Sequence, residues 1–106
     1  MALAAVLAAA IAVLLRTGRS LRRHRIRLGE LGPGVYFFSS RTCASCDRMR
    51  PRLDPDVIEV SYEAGSFPAA VKRVPAVAQL DESGRGWIAY GDVSERRLEQ
   101  WIADGP

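Results

Sequence analysis

The first fifteen residues, MALAAVLAAAIAVLL, contain no polar side chain, and the segment from Arg16 to Leu28 that follows carries six arginines, His24 and no acid. The apolar stretch will not join a soluble core, and with the basic segment set aside the folded part is expected to run from about Gly29 to the end, under 80 residues. A domain of that size is near the lower limit for folding without staples, which favours a compact, strongly connected fold.

The net charge of +3 is unevenly placed. Six of the fifteen basic residues and none of the twelve acids precede Gly29, so the remainder holds nine basic against twelve acidic residues, a net of −3. A nucleic-acid-binding domain is expected to carry positive charge on its folded part. No nucleic-acid partner is therefore expected.

Fourteen apolar residues after Met1 would make a helix of about 21 Å against about 30 Å of hydrocarbon. Snorkelling by Arg16 and Arg19, with Thr17 and Gly18 extending the helix, would allow a thin span. The competing readings are the apolar core of a secretory signal and a buried domain helix. No basic residue precedes the run and no small-x-small cleavage site follows it, so an uncleaved single-pass anchor over residues 1–18 is the expectation. Residues 19–33 then read as a basic juxtamembrane linker. Arg16 to Arg27 would meet anionic headgroups, and the positive-inside rule would keep the domain on the cytoplasmic side.

Within residues 34–106, Val35 to Phe38 (VYFF) is an apolar run bounded by turn residues and reads as a buried strand. Ser39 to Thr42 is polar. Cys46, Met49 and Leu53 mark one face of a helix starting near Cys43 and interrupted around Pro51. Val57 to Tyr62 reads as a second strand, Pro68 to Arg73 as a short helix, Ala76 to Leu80 as a third strand and Trp87 to Tyr90 as a fourth. Ser94 is an N-cap, and Leu98, Trp101 and Ile102 give the last helix its apolar stripe. The order βαβαββα predicts an α/β fold with a mixed four-stranded sheet covered on both faces.

Cys43 and Cys46 are the only cysteines. A bridge closing so short a loop removes little chain entropy, so its value is chemical. At the start of a helix the first thiol meets unpaired N–H groups that favour a thiolate, and the second lies one turn inward. Cys43 is then the nucleophile that attacks a disulfide, and Cys46 resolves the mixed disulfide. Half of a zinc site has the same spacing. With no second pair and a single histidine in the arginine run, a metal would require two chains. A pair without activity is the other alternative.

From about Gly34 to Ile102 the chain resembles a thioredoxin domain trimmed to a glutaredoxin-like minimum. The resemblance rests on VYFF leading through SSRT into Cys43-Ala44-Ser45-Cys46, on Pro51 five residues after the second cysteine, on Val74-Pro75 before the third strand, and on Gly91-Asp92-Val93-Ser94 with Leu98. It implies a thiol–disulfide oxidoreductase, needing no cofactor and no metal, in which Pro75 is a cis-proline. The groove beside it, with Thr42, Val74 and Gly91, would bind an extended substrate strand. With its anchor, the architecture resembles that of bacterial redox helpers such as those of methylamine dehydrogenase maturation.

The chain departs from the family pattern at several positions. Thr42 stands where thioredoxins carry Trp, Ala44-Ser45 where they carry Gly-Pro, and Phe37 where they carry a buried acid that accepts the second thiol's proton. The interval from Cys43 to Pro75 is short. The expected partner is a disulfide-containing protein or a small thiol. The rival expectation is a thioredoxin-like binding module that recruits a membrane partner without turnover.

Overall fold

The computed structural model describes residues 22–106, and its sheet is organised around the apolar run VYFF. The elements are β1 (Arg23–Arg27), β2 (Gly34–Ser39), α1 (Ala44–Met49), β3 (Ile58–Ser61), β4 (Ala76–Leu80), β5 (Arg85–Tyr90) and α2 (Glu95–Asp104). A 3-10 turn at Arg50–Arg52 continues α1, and a second at Tyr62–Ala64 follows β3. The five strands form one mixed sheet in the order β1-β5-β4-β2-β3. Only β2 and β3 are parallel, joined across the sheet by α1, while the other neighbours are antiparallel.

The sheet has one strand more than the sequence suggests. Arg23–Arg27, expected as linker, pairs antiparallel with β5, with Arg23 opposite Ala89 and Arg27 opposite Arg85. Alternation explains it: Ile26 and Leu28 turn to the core, and Leu28 is 1% exposed. The arginines of β1 stay at the surface, and their charge blunts an exposed sheet edge. Residues 1–18, expected as an anchor, lie outside the described residues. No helix among the described residues is long and apolar enough to cross a membrane.

Two apolar clusters sandwich the sheet. On one face Phe37, Val77, Trp87 and Ala89 pack with Cys46 and Met49 of α1 and Leu98 of α2. Ser94 starts α2, its hydroxyl accepting from the Arg97 N–H at 3.3 Å. Trp101 is half-buried and stands edge-on to Trp87, with the Arg23 guanidinium 5.8 and 5.5 Å from the Trp87 and Trp101 rings.

On the other face Tyr36, Phe38, Ala76, Ala78, Ile88 and Tyr90 form a cluster with Leu28. No helix covers it. The helix expected at Pro68 to Arg73 is absent, and the segment makes a single turn in which the Val71 N–H donates to the Pro68 carbonyl at 3.1 Å. The residue before Pro75 is biased away from helical backbone, which works against a helix running into β4. Phe67 and Val71 from this irregular stretch seal the core instead.

Gly84 closes the β4–β5 hairpin at a φ of 79°, and a side chain there would lie 2.8 Å from the Leu28 carbonyl oxygen. The Gly84 carbonyl accepts from the Leu28 N–H at 2.8 Å, so the hairpin turn also fastens the end of β1.

The strand directions gather several loops at one end of the sheet. Phe38 pairs with Ala76, Ala76 with Tyr90, and Ala89 with Arg23. The end of β2, the start of β4, the end of β5 and the start of β1 therefore share that end.

Candidate functional site

Cys43 and Cys46 form a disulfide at this end, with their Cα atoms 5.2 Å apart. Cys43 is the N-cap of α1 in extended backbone, and the Cys46 N–H donates to its Sγ at 3.1 Å. The preceding loop is turned by the Cys43 N–H, which donates to the Ser40 carbonyl at 3.3 Å. Pro51 sits in the 3-10 turn, where its missing N–H costs nothing, so α1 gives way there to tighter winding.

The two sulfurs have different surroundings. Cys43 is half-buried and Cys46 is fully buried, in the cluster with Phe37 and Met49. Phe37 is 1% exposed, so the position beneath Cys46 is apolar and offers no proton acceptor.

Val74, Pro75 and Gly91 arrive from the neighbouring strand ends. The Val74–Pro75 peptide bond is cis. Val74 and Cys43 pack against the same cluster, the one holding Cys46. The Gly91 N–H donates to the Pro75 carbonyl at 2.8 Å, tying the turn before α2 to the start of β4, and Gly91 has a φ of 100°. Thr42 is exposed, its hydroxyl 3.4 Å from that of Ser40. All six residues singled out from the sequence thus lie at one end of the sheet.

The charged residues of the loop are engaged. Arg48 donates to the Ser45 hydroxyl at 3.0 Å and lies 3.9 Å from Asp92. Asp47 pairs with Arg50 at 3.0 Å, which offsets its charge near the cysteines.

A polar network that sequence reasoning missed braces the base of the loop. Ser39, 1% exposed, donates its hydroxyl to Glu59 at 2.8 Å, and Arg50 makes two further bonds to the same carboxylate, at 2.8 and 3.2 Å. The Arg50 guanidinium holds the Glu59 carboxyl below its ordinary range, with the Ser39 hydroxyl adding to the effect. Glu63 does similar work, accepting from the Arg41 N–H at 2.8 Å and the Ser61 hydroxyl at 2.8 Å. These bonds hold its carboxyl below the usual range too. No motif announces either brace, because both depend on the register of β2 against β3.

A groove of about 770 Å³ lies on the helix face between Leu53 and Ile102, but neither cysteine lines it. A second, of about 630 Å³, borders Thr42 and Val74 beside the disulfide. Among the described residues no group of three or more His, Cys, Asp or Glu could hold a metal ion. Compared with protein-family models and with curated proteins, the chain matches none.

Proposed function

We propose that the chain is a thiol–disulfide exchange protein on a thioredoxin-like domain, acting on a disulfide of a protein or small thiol. The observation that carries this reading is the paired-cysteine disulfide at the junction of β2 and α1, half-buried at Cys43 and buried at Cys46. The order β3-β2-β4-β5, parallel in the first pair and antiparallel in the rest, supports the thioredoxin-like assignment.

The chemistry follows from the two environments. The Cys43 thiolate attacks one sulfur of the partner disulfide, and the other sulfur leaves with the electron pair. The Cys46 N–H already points at Cys43 Sγ and would hold negative charge there. Cys46 then loses its proton and attacks Cys43 Sγ, which frees the reduced partner and restores the Cys43–Cys46 disulfide. Two electrons pass from the domain to the partner. With Phe37 beneath Cys46, the proton goes to the departing thiolate or to water rather than to a side-chain carboxylate. Val74, Pro75, Gly91 and Thr42 border the surface across which the partner lies.

We assign the tether to residues 1–18, with Arg16, Arg19 and Arg22 at anionic headgroups, since Arg23–Arg27 belong to β1, and the domain on the cytoplasmic side, where the pair would work as a reductant. The second reading, a binding module without turnover, draws its support from the apolar position under Cys46.

The test is equilibration of the full chain with thiol buffers of defined potential. A reversible two-electron transition is expected, about 30 mV corresponding to 1.4 kcal/mol. A Cys46→Ser variant is expected to accumulate mixed disulfides through Cys43. A pair with no reversible transition and no trapped adduct would leave the binding module as the better account.

A further inference from the structure

The segment between β3 and β4 leaves an open cleft next to the disulfide. Tyr62 is 64% exposed, one of two large apolar side chains at the surface of the described residues. It is held in place edge-on to Phe67, centroids 5.3 Å apart, and Phe67 stands edge-on to the buried Phe38 at 5.7 Å. An aromatic ladder thus runs from the core to the rim of the cleft, whose floor continues over Phe67 and Val71 to Val74. Thr42, next to Cys43, lines it as well.

The charge on the rim has one sign to spare. Lys72 and Arg73 line it, and among the described residues neither makes an ion pair. Lys72 is exposed, and the Arg73 guanidinium lies 5.0 Å over the Tyr90 ring. The one carboxylate in the lining, Glu63, is occupied by the Arg41 N–H and the Ser61 hydroxyl.

We propose that this cleft selects the partner: a polypeptide whose reacting cysteine is flanked by an apolar side chain, seated on Tyr62 and Phe67, and by a carboxylate, held by Lys72 and Arg73. The inference rests on the exchange reading above and narrows its substrate from any thiol or disulfide to an apolar-acidic peptide segment. A rigid exposed aromatic is the side-chain type that anchors interfaces, and unpaired basic residues at the rim steer an acidic partner toward it.

The experiment uses the oxidised full chain and three dithiol peptides, identical except that their cysteines are flanked by Leu and Glu, by Leu and Lys, or by Gly and Ser. One peptide thiolate attacks Cys43 Sγ, and the Cys43–Cys46 bond breaks with Cys46 taking the electron pair and a proton. The second peptide thiol closes on the mixed disulfide and frees Cys43. The peptide is oxidised by two electrons and the protein reduced by two. Each rate is divided by that with dithiothreitol, which is too small to span the cleft.

The Leu-Glu peptide is expected to react about tenfold faster than the Leu-Lys peptide at low salt, with the gap closing as salt rises. Lys72→Glu with Arg73→Glu is expected to reverse that preference, and Tyr62→Ala to slow both Leu peptides toward the Gly-Ser rate. Equal rates for the three peptides, or a preference untouched by charge reversal, would overturn this inference alone. Failure of every peptide while dithiothreitol still reduces the disulfide would overturn this inference and confine exchange to small thiols, whereas failure of dithiothreitol as well would overturn the exchange reading too.

Discussion

Phe37 and Cys46 share one apolar cluster, the ring 1% exposed and the cysteine fully buried, while Cys43 three residues away reaches the surface. In the reduced protein, iodoacetamide is therefore expected to alkylate Cys43 before Cys46. Phe37→Ala is expected to cost about 3–5 kcal/mol in stability by leaving a cavity, and to bring Cys46 within reach of the reagent. Peptide mapping of the labelled cysteines checks the order, and labelling of Cys46 first would contradict it.

The basic segment is structural as well as charged. A chain beginning at Gly29 lacks β1 and the buried Leu28. It is expected to unfold at clearly lower urea concentration than one beginning at Arg22. Leu28→Ala alone should cost about 2–5 kcal/mol in the full chain. Equal midpoints for the two starting points would show that β1 contributes nothing to the domain.

Glu59 makes acid stability depend on the brace under the loop. Its folded carboxyl lies below the ordinary range, held there first by Arg50. The stability it contributes is complete above about pH 4.3 and is lost as pH falls through the folded value. Because the Glu59 side chain is 36% exposed, screening keeps the effect small. Glu59→Gln is expected to lower the thermal midpoint at neutral pH and to flatten the acid limb, so that the two curves converge in strong acid. Parallel curves throughout would remove Glu59 from the account.

Two glycines in the left-handed region separate strain from collision. Gly65, at a φ of 81°, has nothing within 4 Å of where a side chain would start, whereas Gly84 faces the Leu28 carbonyl. Gly65→Ala is expected to cost about 1–2 kcal/mol, and Gly84→Ala more, because the backbone of β1 must move. Urea denaturation of the two variants ranks them, and an equal loss would mean that the hairpin and β1 are not closely joined.

Much of this architecture is readable from residue order. VYFF, the run from Ala76 to Leu80 and the one from Trp87 to Tyr90 are strands, and Ser94 caps the last helix, because each is a local pattern with a clear boundary. Cys43, Thr42, Val74, Pro75 and Gly91 share one place because each sits beside a strand end, and strand ends converge. The strand at Arg23–Arg27 is harder to see. Arginine dominates it, although the residues that turn inward, Ile26 and Leu28, follow a period of two. Its arginines find use where no pattern announces it, Arg23 lying across two indole rings contributed from distant positions. The segment from Pro68 to Arg73 has helical composition, but Phe67 and Val71 serve the core from an irregular path. The bonds from Ser39 and Arg50 to Glu59 depend on how β3 slides along β2, which no short run of residues specifies.

Because β1 begins at the sheet end where β2 finishes, its first residue, Arg23, stands at the disulfide's end of the sheet, about 14 Å from β2 across three strand spacings. A group bound at Arg23 would therefore sit at the disulfide's end of the sheet, and one bound at Arg27 at the far end.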